Sequence, residues 1–331
     1  MFRKYFFTLL VVTSTLCSNL FADKSVPESV ITDIGKQLIR QSKWIGNQYA
    51  EYTVDGEWHF GSKVGWLSGF IGGEYWIQYE LTGDERFKKL ALSRADMLLK
   101  DAGIDRTHDM GFIFLPTVVE AFKKTGEEKY RTAGLLAAEM LAKRFNENGN
   151  FIRAWGKLGE PKKSGWMIID TMMNLELLFW AAMESGNSKY YEIAYKHALT
   201  TLEETVRANA SSYHVVEFNP QTGAVEKKRT HQGNADESTW GRGQAWGIYG
   251  FANAYKFTKD ERFLTISRKM ADYFIAHLPE DMVNYWDLDL SGSDVRRDAS
   301  AAAIATSGML ILSEMLPDYT DARYYENTAS K

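Results

Sequence analysis

Two aspartates carry the most promising chemistry in this sequence. Asp109 lies in Thr107-His108-Asp109-Met110-Gly111-Phe112, a His-Asp dyad followed by glycine and aromatics after an amphipathic helix. Asp170 lies in Gly165-Trp166-Met167-Ile168-Ile169-Asp170-Thr171-Met172-Met173-Asn174, at the start of an otherwise apolar helix. Either one could simply cap the helix that follows it. The flanks of Asp170, however, are apolar and aromatic, which would desolvate the carboxylate and raise its pKa toward that of a general acid. A helix N-terminus favours the anion and pulls the other way. Local sequence leaves both roles open for both residues.

A third segment is polar, glycine-dense and rich in tryptophan. It runs His231-Gln232-Gly233-Asn234-Ala235-Asp236-Glu237-Ser238-Thr239-Trp240-Gly241-Arg242-Gly243-Gln244-Ala245-Trp246 into another apolar helix. Arg242 between two glycines offers a fork for an anion, and tryptophans can stack on a sugar ring. By contrast, Gly69, Gly72 and Gly73 after Trp66 suit close helix packing. Other chemistries find no support. There is no Gly-x-Ser-x-Gly elbow and no phosphate-cradling loop, and the six histidines lack metal-ligand spacing.

The elements that must hold these residues are helical. Ser25-Val26-Pro27-Glu28 reads as a helix start, and apolar residues follow at Val30, Ile31, Ile34, Leu38 and Ile39. Extended structure is expected only around Tyr213 to Phe218. One punctuation recurs: Thr82-Gly83-Asp84-Glu85-Arg86-Phe87, Thr125-Gly126-Glu127-Glu128-Lys129-Tyr130, Ser185-Gly186-Asn187-Ser188-Lys189-Tyr190 and Thr258-Lys259-Asp260-Glu261-Arg262-Phe263. Its glycine suits a left-handed C-cap, its acidic residue starts the next helix, and its aromatic is a buried anchor. Within each hairpin one helix is apolar all round (Met172 to Met183, Ala299 to Leu312) and the other carries a charged stripe (Phe87 to Leu99, Phe263 to Leu278). That alternation predicts an all-α toroid, with an inner ring of helices inside an outer ring. No linker divides residues 23–331, which are read as a single domain.

Composition bounds the rest. Ten tryptophans and 14% aromatic residues are a high share, which either packs the core, as expected for most of them, or lines a sugar site, and a formal charge of −4 gives no basic face for nucleic acid. Arg3 and Lys4 precede an apolar run from Tyr5 to Leu16, and Leu20-Phe21-Ala22 offers a cleavage site. Residues 1–22 are therefore read as a signal peptide, and the mature protein as periplasmic or extracellular. Their removal takes away two positive charges and the only cysteine. No later stretch reads as a membrane span.

Taken together, the segments resemble the unsaturated glucuronyl hydrolases, glycoside hydrolase family 88, and more distantly the unsaturated rhamnogalacturonyl hydrolases. The resemblance runs from about Trp66 to the end of the chain. It rests on His108-Asp109, on Ile168 to Leu175, on Trp240 to Trp246, and on the 61 positions separating Asp109 from Asp170. The Gln244-Ala245-Trp246 ending resembles the glucuronyl branch.

The resemblance implies an (α/α)6 barrel that hydrates the C4=C5 enol ether left on a uronic acid by polysaccharide lyases, without cofactor or metal. Asp170 would be the general acid and then the base, and Asp109 its partner. His108, Asn146, His214, Gln232 and Arg242 would contact the sugar or its carboxylate, between Trp66 and Trp246 as stacking walls. Members of the family continue beyond the point matching Lys331 into a helical segment that closes the barrel, so an incomplete or atypical final segment is expected here. Two other readings stand beside this one: another α/α-toroid glycosidase, or a shortened, non-catalytic glycan-binding protein.

Overall fold

The computed structural model describes residues 26–331; the expected signal peptide and the first residues of the capping pattern lie outside them. The chain opens with α1 (Glu28–Ile45) and a hairpin of β1 (Tyr49–Val54) and β2 (Glu57–Gly61). Helical hairpins follow. They pair α2 (Phe70–Thr82) with α3 (Glu85–Leu98), α7 (Thr171–Ser185) with α8 (Ser188–Thr205), α9 (Gly241–Thr258) with α10 (Glu261–Ala276), and α11 (Ala299–Met315) with α12 (Tyr319–Ala329). The second hairpin is interrupted. Its inner member runs as α4 (Met110–Phe114), a π turn (Leu115–Val119) and α5 (Glu120–Thr125), before α6 (Glu128–Ala142). Pro116 removes a backbone donor from this stretch, which accounts for the wider turn.

The recurring punctuation builds the hairpins as its residues require. Gly83, Gly126 and Gly186 close their helices at φ of 68°, 70° and 72°, and Lys259 takes the same left-handed geometry at 58°. Phe87, Tyr130, Tyr190 and Phe263 anchor the outer helices in the core, each at most 9% exposed. Asp84, Asn187 and Asp260 accept the N–H two residues on and so act as plain N-caps.

Inner helices pack on one another by close approach. A Cβ on Gly111 would lie 2.5 Å from the Cα of Asn174, and one on Gly72 2.3 Å from Thr117 Oγ1, so glycine is needed at both contacts. The Gly69–Gly73 stretch is thus a packing surface, as its spacing indicated. The result is a double toroid of helices. Its inner ring is α2, α4–α5, α7, α9 and α11; α3, α6, α8, α10 and α12 surround it.

Among the described residues no helix stands between α11 and α2 to finish the inner ring. Ile77 and Leu81 on α2 are consequently 58% and 56% exposed, beside an apolar groove against α1. The expectation that α11 is buried all round is corrected for the same reason: Ala303 and Ser307 face outward from it. Small sheets decorate the loops: β3 (Phe145–Asn146) pairs with β4 (Phe151–Ile152), and β5 (Trp166–Ile168), β6 (Val215–Phe218) and β7 (Val225–Arg229) form the largest. Only β6 was legible in the sequence. No helix among the described residues is long and apolar enough to cross a membrane.

Candidate active site

All inner helices begin at the same rim of the toroid, and the chemistry-bearing residues sit at those beginnings. Trp66 precedes α2, Asp109 precedes α4, Asp170 precedes α7, Trp240 precedes α9, and Asp298 precedes α11. Convergent helix N-termini make this rim electropositive and suited to an acidic ligand.

The capping alternative fails for both candidate aspartates. Each occupies an N-cap position, yet neither side chain accepts a hydrogen bond from its helix. Asp109 instead faces sideways: Oδ1 lies 3.2 Å from His108 Nε2, and Oδ2 accepts a short hydrogen bond from the Thr107 hydroxyl. A carboxylate can only accept, so Nε2 carries the His108 proton, and Nδ1 pairs with Thr171 Oγ1 at 2.7 Å. Burial pushes the Asp109 pKa up, but His108, Thr107 and the buried Arg144 outweigh it and hold the group below the usual carboxylate range. Arg144 is fixed there by four carbonyls, those of Asp105, Arg153, Ala154 and Gly156.

Asp170 is the opposite case. Burial, reinforced by the charge of Asp109, raises its pKa to about 6 against the pull of His108 and Arg242. Two carboxyls close together with pKa values pushed apart divide the labour of anion and acid.

Sheet register brings in His214. Ile168 pairs with Val215, and the Ile169 N–H donates to the His214 carbonyl at 3.2 Å, which sets that ring beside Asp170. His214 Nδ1 accepts the backbone N–H groups of His231 and Gln232 at 3.2 and 3.1 Å, so its proton is on Nε2. Nε2 points at Asp170 Oδ2 from 3.6 Å, beyond hydrogen-bond reach, and neither atom has another protein partner. Burial drives the His214 pKa down to about 3, so the ring stays neutral.

Two cross-braces fix the aspartates relative to each other. One is the His108–Thr171 contact. The other is Asn174, whose Oδ1 accepts from the Phe112 N–H at 3.0 Å while Nδ2 donates to the Asp170 carbonyl at 3.4 Å.

On one side of the pair stands an aromatic wall. Trp66, 38% exposed, meets Phe112 edge-on at 5.5 Å, and Phe112 meets the buried Trp246 at 4.9 Å. On the other side, Arg242 Nη2 donates to Gln232 Oε1 at 3.0 Å and Nη1 pairs with Asp298 Oδ2 at 2.6 Å, with the guanidinium over Trp240. Arg242 therefore enters the site already neutralised by Asp298. Asn146 is the named residue that the structure does not draw into this cluster. Its amide is engaged by the Pro220 carbonyl and the Gly149 N–H, tying two surface turns together.

The comparisons with known proteins identify the family. The description of Glycosyl Hydrolase Family 88 matches residues 39–310, reaching farther toward the N-terminus than the motifs beginning at Trp66. The chain belongs to glycosyl hydrolase family 88. The unsaturated chondroitin disaccharide hydrolase of Streptococcus pyogenes serotype M1 is 39% identical over 280 residues, 83% of this chain and 70% of that one. The unsaturated glucuronyl hydrolase of Bacillus sp. strain GL1 is 36% identical over 286 residues, 84% and 75% of the two chains. Its crystal structure superposes with a TM-score of 0.86 at 33% identity, covering 91% of this chain and 81% of that one. A Streptococcus agalactiae unsaturated glucuronyl hydrolase variant, complexed with dGlcA-GalNAc6S, gives 0.77 at 30% identity, over 93% and 80%. The expected α/α barrel and glycoside hydrolase class are thus what this family 88 chain has.

Sequence reasoning missed several members of the site. Phe112, Thr171 and Asn174 were inside the quoted motifs but carried no sign of their partners. Asp298 reads as an N-cap and is one, accepting from Ser300 and Ala301; its second partner, Arg242, lies 56 positions away. Arg144 gave no local signal.

The raised pKa of Asp170 has a thermodynamic consequence. Its carboxyl is 14% exposed and binds its proton more tightly folded than unfolded, so ionising it opposes folding. The opposition is absent below about pH 4, grows between there and pH 6, and is complete above. Asp170→Asn is accordingly expected to stabilise the protein by about 1–3 kcal/mol at pH 7, with the gain gone by about pH 4. Denaturant unfolding at the two pH values checks this, and a destabilised variant at pH 7 would contradict it.

Proposed function

We propose that this family 88 enzyme hydrates the C4=C5 enol ether of 4,5-unsaturated uronyl oligosaccharides and so releases the terminal uronic acid. The observation that carries the reading is the split pair: Asp170 holds its proton to about pH 6, beside an Asp109 held anionic.

Asp170 donates its proton to C4, and positive charge develops at C5 next to the ring oxygen. The anion of Asp109 faces that charge and stabilises it. Asp170, now a carboxylate, takes a proton from water as the water oxygen bonds to C5. The resulting hemiketal opens, the C1–O bond breaks, and the aglycone leaves with a proton. The unpartnered Asp170 Oδ2 and the His214 Nε2–H lie 3.6 Å apart, which supports an attacking water held between an acceptor and a donor. Trp66 offers the exposed ring face for the sugar, and Gln232 with Arg242 its polar border.

The relatives' names support the substrate class: unsaturated chondroitin disaccharide hydrolases in streptococci, unsaturated glucuronyl hydrolases in Bacillus and Formosa. The test is the near-UV absorbance of the conjugated enol-ether acid over a panel of unsaturated disaccharides in isotope-labelled water. Loss of absorbance with label at C5 is expected. Label at the anomeric carbon would make the enzyme an ordinary glycosidase, and no turnover on the whole panel would remove the reading. The reading also places the enzyme outside the cytoplasm, supported by the basic-then-apolar N-terminus Arg3 to Leu16.

A further inference from the structure

Arg144 is a buried charge to which the hydration reaction gives no task. It stands just past the end of α6, at 3% exposure, and its backbone is fixed on both sides. Its N–H donates to the Leu141 carbonyl at 3.0 Å, and its carbonyl accepts from the Arg153 N–H at 3.0 Å. Four hydrogen bonds leave the guanidinium: Nη1 to Asp105 at 2.7 Å, Nε to Arg153 at 2.8 Å, and Nη2 to Ala154 at 2.9 Å and Gly156 at 3.1 Å. All four acceptors are backbone carbonyls. They satisfy the donors and leave the charge uncancelled, and burying such a charge costs free energy that a neutral anchor would not.

The four carbonyls belong to two segments that meet at the site. Asp105 opens the turn into Thr107, His108 and Asp109, while Arg153, Ala154 and Gly156 flank Trp155. The Ala154 carbonyl takes a second hydrogen bond, from the His108 N–H at 3.1 Å, and Thr107 forms a bridge with Trp155. Trp155 in turn meets His231 at 5.2 Å and His214 at 6.5 Å. From Ala154 the connection continues toward Asp170, because the Ala154 N–H donates to the Trp166 carbonyl at 2.8 Å, at the start of β5. One guanidinium thus sits at the junction of the segments that carry both carboxyls.

Asp109 is the site carboxylate on which this charge acts. The charged groups around Arg144 are Arg153, which repels it, and Asp109 and Asp105, which attract it. Those around Asp109 are His108, Arg144 and, across the pair, Asp170. Burial lowers the Arg144 pKa only to about 10, so the guanidinium stays charged through the working range of an enzyme. An imidazole, by contrast, can lose its charge near neutral pH. The steady positive charge beside Asp109 is therefore that of Arg144.

We propose that Arg144 is a positioning residue for the hydration reaction: it clamps the His108–Asp109 turn to the Trp155 segment and keeps Asp109 an anion that faces C5. The fork and the charge are both required, the first to hold two segments at once and the second to act on Asp109. The role in the reaction rests on the proposed hydration activity, and the clamp on the hydrogen bonds alone.

The test compares Arg144→Lys, which keeps the charge and loses the fork, with Arg144→Gln, which loses the charge. Both are assayed on an unsaturated uronyl disaccharide across pH 4–8, after circular dichroism has confirmed the fold. Arg144→Lys is expected to lower kcat about tenfold, with KM within about twofold and the shape of the pH profile unchanged. Arg144→Gln should lower kcat further and change the shape. Without the positive charge Asp109 takes a proton at higher pH, so the ratio of kcat/KM at pH 4 to that at pH 5 should fall about threefold. A loosened fold alone would slow both variants and leave that ratio where it is, which would overturn the proposal. So would an unchanged kcat in Arg144→Lys, or a loss confined to KM, and these two outcomes decide the matter if Arg144→Gln does not fold. The charge is also read without turnover, by carbon-13 NMR titration of the Asp109 carboxyl in an Asp170→Asn background. Its midpoint should move to higher pH in Arg144→Gln and stay in place in Arg144→Lys. Absence of turnover in the unchanged enzyme would count against the hydration reading, while this titration would still decide the role of Arg144.

Discussion

Asp170→Asn is expected to lower kcat on an unsaturated uronyl disaccharide by about 10³-fold, with little change in KM. An amide of the same size keeps the packing of Ile169, Thr171 and the sheet beside it. It has no proton to give to C4 and cannot take one from water, so both proton transfers fail together. The pH profile follows from the same group. The reactive form is the acid, and the pKa of Asp170 is about 6, so kcat/KM should hold below that value and fall above it, by about tenfold per pH unit. His214 cannot account for such a limb, because its ring is already neutral above about pH 3. A variant retaining a tenth of the activity, or a profile that rises through pH 6–8, would remove Asp170 from the role.

Asp109→Asn tests the coupling between the two carboxyls. Removing the anion should cost about 10²-fold in kcat, because it takes away the negative charge proposed to face C5. It should also move the profile. The charge of Asp109 raises the Asp170 pKa, so without it Asp170 loses its proton at lower pH and the falling limb shifts toward acid. Activity measured across pH 4–8 separates the two effects. A limb that stays put or shifts toward alkali would show that burial alone sets Asp170, leaving Asp109 a role in sugar binding only.

Both predictions depend on contacts that local patterning does not contain. The recurring Thr-Gly-acidic-aromatic element was readable because it is short-range. Its glycine turns, its cap bonds two residues on, and its aromatic points inward wherever a helix begins with it. The same logic made Asp109 and Asp170 ambiguous, since each also starts a helix and a starting Asp is usually a cap. The structure decides between the roles by direction. Asp84, Asn187 and Asp260 turn back onto their own helices, whereas Asp109 turns to His108 and Asp170 turns toward His214. Asn146 was named by position alone, and its amide joins the Pro220 carbonyl to the Gly149 N–H.

By itself, then, the sequence determined the helical toroid through its periodicity, and its ordered motifs gave the family resemblance that implied the reaction class and singled out the two carboxyls. Tertiary structure decided what each carboxyl is. The proton on Asp170 comes from burial among residues brought in by the inner ring and by the β5–β6 register, and the charge on Asp109 comes from Thr107, His108 and Arg144. It also decided that Arg242 is paired with Asp298. These are matters of distance and solvent access between segments far apart in the chain, and a pKa depends on both.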